Sequence, residues 1–354
     1  MGYLWVIWQR MPLFTARDTS GTVGFSVLVA VRNEADHLPA LLDALEQLIY
    51  PRDAFEVIFI NDHSNDTTVT LLRQAQAKYT FALRLLHNSP EVSGKKAALL
   101  RGIAAARFPT LLTTDGDCVV SPHWLAAFAA AKRTTGAVLL SGPVRMSGRG
   151  WWAHLQSVEF ASLIGTGAVL LRKGHPVLAN GANLCYDKAA FVSVGGFAGH
   201  QHLPSGDDIF LLEKMNMAFP GKVHFLKSSD AIVQTRPQVQ LTDFVQQRLR
   251  WASKWQSGQG RATPLLALAV VSFHGLHLLA WLWWVEGYLW VGLCLKVLTE
   301  LGVLALWLRF LGQSRQRVWI PLAQGLYSFY ALFFGFLVFR RKKYQWKGRY
   351  YHRT

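Results

Sequence analysis

Phe25-Ser26-Val27-Leu28-Val29-Ala30-Val31 is a short continuous apolar run that gives way to Arg32-Asn33-Glu34, and Glu56-Val57-Ile58-Phe59-Ile60 is a second that gives way to Asn61-Asp62. Between them Leu38, Leu41, Leu42, Leu45 and Leu48 recur at helical spacing. A strand, a helix and a strand in this order make a right-handed crossover, which sets the two strands parallel. Working outward, the pattern predicts a helix near 67–79, a strand near 83–87, a helix near 95–106 and a strand at 110–114. Such alternation specifies a doubly wound α/β sheet, whose ligands sit beyond the carboxyl ends of the strands. Asn33-Glu34, Asp62 and Asp115-Gly116-Asp117 fall there.

The rest of the chain is of another kind. Of 354 residues 51% are hydrophobic, and most of the 14 tryptophans lie near the two ends, which argues for a soluble domain joined to a membrane part. Apolar segments at about 264–285, 288–308 and 318–339 are each long enough to span a bilayer at roughly 20 residues. The expected organisation is an N-terminal segment 1–22, a cytosolic α/β domain 23–260 and a membrane region with a basic tail 261–354. The start reads as neither a secretory signal nor a span, and Trp5 and Trp8 suit an interfacial anchor. Ahead of 264 a Trp-rich helix is expected over 151–163 and strands at 138–141 and 223–225, with Thr242 as N-cap of an amphipathic helix running to Trp255.

The formal net charge of +16 is compatible with nucleic acid, anionic lipid or an anionic substrate. Location decides: Arg309, Arg315, Arg317, Arg340, Arg341, Lys342, Lys343, Lys347, Arg349 and Arg353 flank or follow apolar segments, which points to the membrane surface and away from nucleic acid. The three cysteines, Cys118, Cys185 and Cys294, are far apart and odd in number, so neither a disulfide framework nor zinc spacing is indicated and a reducing compartment fits.

Several polar groups carry candidate chemistry. Asp115 and Asp117 flank a glycine at a strand end, where two hard oxygen donors beside a diphosphate suit Mg²⁺ or Mn²⁺; the plain alternative is a loop turn. Asp62 and Glu34 are placed to accept from a nucleobase or ribose, or else to cap helices, as Asp66 also can. Lys95 and Lys96 open a helix, where cations oppose the dipole, so a diphosphate oxygen is the expected partner of one of them unless both are simply solvated. Asp207-Asp208 follows Ser205-Gly206 at another helix start, and either caps it or supplies the general base that takes a proton from a hydroxyl. Gln247, Arg250 and Trp251 share a helix face: the guanidinium suits a leaving diphosphate and the indole a sugar or lipid, although any membrane-proximal amphipathic helix looks similar.

Taken in order, Val31-Arg32-Asn33-Glu34, Asn61-Asp62-His63-Ser64-Asn65-Asp66, Asp115-Gly116-Asp117, Ser205-Gly206-Asp207-Asp208 and Gln247-X-X-Arg250-Trp251 resemble the signatures of membrane-bound family 2 glycosyltransferases over roughly residues 23–255. Cellulose and hyaluronan synthases and ceramide glucosyltransferases share this layout, and Trp346-Lys347-Gly348-Arg349-Tyr350 resembles the tail of the last. The resemblance implies a GT-A fold that binds a nucleotide sugar, with a UDP-sugar expected, at Asp62, Asp115 and Asp117, the metal resting chiefly on Asp117. It implies an inverting transfer with Asp208 as base and a helix bearing Gln247, Arg250 and Trp251 beside acceptor and diphosphate. Asn61 stands where relatives carry a first Asp, and Ser-Gly-Asp-Asp replaces their commoner Glu-Asp or Thr-Glu-Asp, which leaves the division of labour between Asp207 and Asp208 open.

A polymer-extruding enzyme needs a channel, and three segments give little material to enclose one, so a lipid or membrane-associated hydroxyl is the first acceptor; a processive polysaccharide synthase and transfer to a polyprenyl phosphate are the alternatives. The expected location is an integral membrane protein with its catalytic domain facing the cytoplasm. Three full crossings would carry Arg340-Arg341-Lys342-Lys343 to the opposite side, against the positive-inside tendency, so either one segment is re-entrant or interfacial or the reading of the N-terminus is incomplete.

Overall fold

The computed structural model describes residues 2–16, 22–200, 203, 206–253, 262–282, 288–340, 343–346 and 349–352. Ser205, Trp255, residues 283–285 of the first apolar segment, and Arg341, Lys342, Lys347, Gly348 and Arg353 lie outside the described residues. The chain divides into two compact units, one comprising residues 11–145 and 170–236, the other 1–10, 146–169 and 237–354. Residues 146–169 and 237–253 group with the apolar helices.

Among the described residues the first unit is built on a seven-stranded sheet. Its strands are β1 (Phe25–Val31), β2 (Phe55–Asn61), β3 (Ala82–His87), β4 (Thr110–Asp115), β5 (Leu139–Ser141), β7 (Leu184–Asp187) and β8 (Val223–Phe225), in the order β3-β2-β1-β4-β7-β5-β8; β6 (Val144–Met146) pairs separately with β9 (Val233–Thr235). The four expected strands β1 to β4 are parallel neighbours. β2 is buried along its whole length, as a central strand covered on both faces must be, while the edge strand β3 alternates and carries Arg84 and His87. Beyond β4 the sheet turns mixed, since β7 runs antiparallel to both β4 and β5.

The crossover helices are α2 (Leu38–Glu46), α3 (Thr68–Lys78), α4 (Lys95–Ala105) and α5 (Trp124–Thr135), and a short helix α7 (Lys188–Ser193) follows β7. Leu38, Leu41, Leu42 and Leu45 of α2 are all buried, each contributing about 1.5–3 kcal/mol of transfer free energy. A buried carboxylate ties these layers together: Glu56 on β2 accepts from Ser26 Oγ at 2.7 Å, the Arg107 amide at 2.6 Å and Arg84 Nη1 at 3.1 Å. Burial pushes its pKa up, but the donors outweigh it and hold the group below the usual carboxylate range.

The second unit holds α1 (Gly2–Arg10), α9 (Leu241–Ser253), α10 (Ala262–Leu282), α11 (Tyr288–Phe310), α12 (Ile320–Arg340), the hairpin β10 (Lys343–Trp346) with β11 (Arg349–His352), and α6 (Trp151–Arg172) as far as residue 169. Trp8 of α1 is buried, with Trp307 and Phe310 of α11 at 6.2 and 5.1 Å between ring centres, while Trp5 is exposed. α6 runs on past 163, the expected limit: Gly165 lies flat against the Trp307 indole, so close packing outweighs its low helix propensity. α9 begins at Leu241, which places Thr242 inside the helix and not at its N-cap. A side-chain clasp fixes the entry instead, with Gln156 donating to the Gln238 carbonyl and accepting from the Gln238 amide, each at 2.9 Å.

Among the described residues one helical segment, Ser314–Leu337, is long and apolar enough to cross a membrane. The polarity of these helices is inverted. Leu322, Leu326, Phe329, Phe333 and Phe336 form an exposed stripe along α12, whereas Gln324 bonds Glu300 at 3.0 Å and Ser328 bonds His274 at 3.0 Å. Lys296 and Glu300, one turn apart on α11, pair at 2.9 Å.

Candidate active site

Strand register brings the polar groups to one edge of the sheet. Val31 is level with Asn61, Asn61 with His87 and Ala30 with Asp115, so the loops after the four parallel strands leave from a common line. The order β3-β2-β1-β4 reverses direction between β1 and β4, which is the crevice where open α/β sheets bind ligands.

The first two loops interlock. Arg32 Nη1 donates to the carbonyls of Asp62 and His63 at 2.9 and 3.1 Å, the Asn33 amide donates to Ser64 Oγ at 3.0 Å, and Asn33 Oδ1 accepts from the Asn65 amide at 2.9 Å. Asn33 and His63 both adopt left-handed backbone, at φ 52° and 57°. The two acidic groups considered as caps part company here. Asp66 accepts from the Thr68 and Ala35 amides at 3.0 and 3.2 Å; burial acts to raise its pKa, and these donors more than offset it. Asp62 reaches elsewhere, its Oδ1 accepting from Asn88 Nδ2 at 2.9 Å and from the Gly94 amide at 3.0 Å. Gly94 sits at φ +108°, which a side chain would strain, and the turn it makes delivers Lys95 at the start of α4.

Lys95 joins three parts of the sequence. Its Nζ is 2.6 Å from Asp115 Oδ1 and 3.4 Å from Asp207 Oδ2. Burial acts to lower its pKa, but Asp115, then Asp207 and Asp208, outweigh it and hold the ammonium above the ordinary lysine range. Lys96 diverges: buried beside the Phe210 ring, it donates to the carbonyls of His200 and Leu203 at 2.6 and 3.0 Å.

Asp208 opens α8 (Ile209–Ala218), its Oδ1 accepting from the Ile209 amide at 2.8 Å and its Oδ2 from the Gly181 amide at 3.3 Å. Gly181 is held in turn, since its carbonyl accepts from Thr113 Oγ1 of β4 at 2.7 Å. The neighbouring Asn183 is fully buried between Trp124 and the carbonyls of Pro143 and Ala231. Sequence reasoning did not reach Asn88, Gly181 or Asn183. Their contribution is a backbone amide or a bridging amide side chain, and no composition or period marks that.

Asp117 accepts from Thr235 Oγ1 at 3.3 Å and from the Cys118 thiol at 3.6 Å. Burial, with Asp117 and Asp115 next, pushes that thiol well up, so Cys118 is a protonated donor. Gly116 is explained by crowding and not by a special turn. It lacks a left-handed φ, and a Cβ there would lie 2.9 Å from Glu34 Cγ and 3.2 Å from Val31 Cγ1. Glu34 is thereby placed beside the Asp115-Gly116-Asp117 segment, with His37 Nδ1 2.9 Å from its Oε2. Among the described residues no group of three or more His, Cys, Asp or Glu side chains forms a ready-made cation cage. Asp115 and Asp117 are hard oxygen donors of the kind a divalent ion takes one or two of, together with phosphate oxygens and water.

Gln247, Arg250 and Trp251 belong to the second unit, on α9. Gln247 Oε1 accepts from Arg248 Nη1, and Trp251 lies 5.9 Å from Phe160 of α6 and 4.4 Å from the Arg248 guanidinium.

Residues 26–195 match the model of Glycosyl transferase family 2. Among curated proteins the chain is similar to Glycosyltransferase AglE of Haloferax volcanii, 28% identical over 185 residues that make up 52% of this chain and 58% of that one. It is also similar to the Poly-beta-1,6-N-acetyl-D-glucosamine synthase of Staphylococcus epidermidis, 30% identical over 40% of this chain and 34% of the relative, and to the Beta-monoglucosyldiacylglycerol synthase of Trichormus variabilis, 26% identical over 45% and 34%. The matches thus span about a third to three fifths of these relatives' lengths. Of solved structures, the mannosyltransferase PcManGT from Pyrobaculum calidifontis, determined with GDP-Man and Mn²⁺, superposes with a TM-score of 0.57 at 20% identity, covering 92% of this chain and 93% of that one. The fold of the sheet-bearing unit is the GT-A nucleotide-sugar transferase fold, with a mixed sheet.

Proposed function

We propose that the protein is an inverting family 2 glycosyltransferase that moves a sugar from a nucleotide diphosphate sugar, a UDP-sugar first, to a hydroxyl of a lipid at the membrane. One observation carries the reading: Lys95 stands between Asp115 and Asp207, so the groups suited to a diphosphate and those suited to a base meet at one ammonium within the GT-A unit.

Each residue has a part that follows from its surroundings. Asp62, whose carboxylate fixes the Gly94 turn, and Glu34 take the nucleoside side, and Lys95 faces the diphosphate. Asp117 with Asp115 would hold Mg²⁺ or Mn²⁺, which when bound neutralises charge developing on the departing diphosphate. Asp208 is oriented by two backbone amides and takes the proton of the attacking hydroxyl, and Asp207 sits against Lys95. Lys96, committed to two loop carbonyls, has the smaller claim on the donor and anchors the segment ahead of Asp207. Gln247, Arg250 and Trp251 take the acceptor side.

The inverted polarity of α10 to α12 supports attachment to a bilayer. Exposed leucine and phenylalanine stripes suit lipid, and Lys296 and Glu300 within the bundle are paired with one another. A cytosolic supply of nucleotide sugar supports a cytoplasmic side for the GT-A unit. A lipid acceptor agrees with the likeness to a glucosyldiacylglycerol synthase, a polymer with the likeness to a poly-N-acetylglucosamine synthase.

The test is incubation of the purified full chain with a panel of nucleotide sugars, a divalent metal and a membrane lipid extract, followed by mass analysis. A lipid heavier by one sugar is expected. A ladder of sugar additions would replace the acceptor reading with a processive one, and no transfer from any donor would reject the enzyme.

A further inference from the structure

The second unit contains a buried ionic cluster that the reaction as described leaves unused. Arg248 of α9 and Glu159 of α6 form a two-pronged pair, Nε to Oε1 at 2.9 Å and Nη2 to Oε2, with side chains only 3% and 11% exposed. Tyr330 of α12 donates its hydroxyl to the same Glu159 Oε1 at 2.6 Å. The rest of the guanidinium is spent on its own helix: Nη1 donates to Gln247 Oε1, and the plane lies 4.2 Å from the Phe244 ring and 4.4 Å from the Trp251 ring.

We propose that Glu159 and Arg248 are positioning residues for the acceptor side of the reaction, holding the Gln247 amide and the Trp251 indole in one arrangement. A buried ion pair is a poor device for mere stability, because apolar side chains of the same volume hold helices together as well or better. What it adds is orientation. Arg has a rigid planar fork, so once Glu159 fixes two of its N–H groups the direction of the third and the tilt of its face are fixed as well. Those two features meet Gln247 and Trp251. Tyr330 extends the same control to α12, which carries the segment that among the described residues is long and apolar enough to cross a membrane.

This inference rests on the acceptor role given to α9 above, and the experiment separates the two. Full-length wild type, E159Q, R248K and Y330F are purified in detergent, and acceptor KM and kcat are measured beside nucleotide diphosphate affinity in the absence of acceptor. E159Q and R248K should raise acceptor KM by about 10- to 100-fold, the cost of a misplaced contact, with nucleotide affinity held within about twofold. Lysine keeps the charge but not the fork, so failure of R248K to rescue separates orientation from charge. Y330F removes one hydroxyl and should raise acceptor KM about threefold to fivefold. It decides the matter if the other two do not fold. Folded variants with unchanged acceptor KM, or with nucleotide affinity falling in step, overturn the proposal. An inactive wild type overturns the function on which it stands.

Discussion

Lys95 Nζ lies 2.6 Å from Asp115 Oδ1, and the residue before it gives its amide to Asp62, so one turn of chain connects the acids after β2 and β4. Removing the ammonium takes the Lys95 charge away from Asp115, Asp207 and Asp208 together. Lys95→Met should therefore lower kcat by about 10²–10³-fold, the range for deleting one preorganised electrostatic contact, and weaken nucleotide diphosphate binding. Lys95→Arg should recover part of both. Steady-state rates with a nucleotide titration decide it; wild-type turnover in Lys95→Met would detach Lys95 from the site.

Asp208 makes the opposite kind of prediction. Its carboxylate is held by the Ile209 and Gly181 amides, and both contacts can be kept by an amide side chain through its oxygen only one at a time. Asp208→Asn should keep nucleotide binding within about twofold while transfer falls by about 10³-fold or more. Asp207→Asn, whose partner is Lys95, should lose less. If Asp207→Asn proves the more damaging, the base is Asp207.

How far the sequence reaches depends on the length and periodicity of each element. β1 and β2 are seven-residue, mostly apolar strands with a leucine-spaced helix between, a signal that survives without tertiary knowledge. The strand at 138–141 is legible and forms as β5, but β7 is four residues, too short to show a period, so the antiparallel strand that follows Gly181 and Asn183 beside the site is not. α5 buries Trp124 and every residue from Leu125 to Ala131, so it has no polar face to announce a helix. Of the site, carboxylates at strand ends could be read. That Lys95 and Lys96 would take different partners could not, because adjacent helix positions diverge by about 100° and only packing decides which faces the crevice.

Gly116 supplies a steric test. An alanine there would place its Cβ 2.9 Å from Glu34 Cγ and 3.2 Å from Val31 Cγ1, and Val31 is buried in the sheet. Gly116→Ala should cost about 1–3 kcal/mol of stability and tilt the segment carrying Asp115 and Asp117. The readout is Mn²⁺ affinity in the presence of nucleotide diphosphate, expected to fall about tenfold. Glu34→Ala relieves the closest contact, so the double variant should be more stable than the sum of the two changes. Strict additivity in thermal melts would remove the clash from the explanation.

Glu56 gives the protein an acid-sensitive joint away from the chemistry. Its pKa is depressed in the folded state below an ordinary value of about 4.5, so the unfolded chain binds the extra proton between the two values. The stability it contributes is therefore complete above the unfolded pKa and drains away as the pH falls from there through the folded one. The melting temperature of the full chain in detergent should drop over that window, and Glu56→Gln should flatten the drop. At neutral pH the same substitution should cost about 2 kcal/mol, because an amide cannot accept from Ser26, the Arg107 amide and Arg84 with both ends. A wild type and a Glu56→Gln variant that lose stability with the same slope between pH 5 and pH 4 would assign the acid response to other carboxylates.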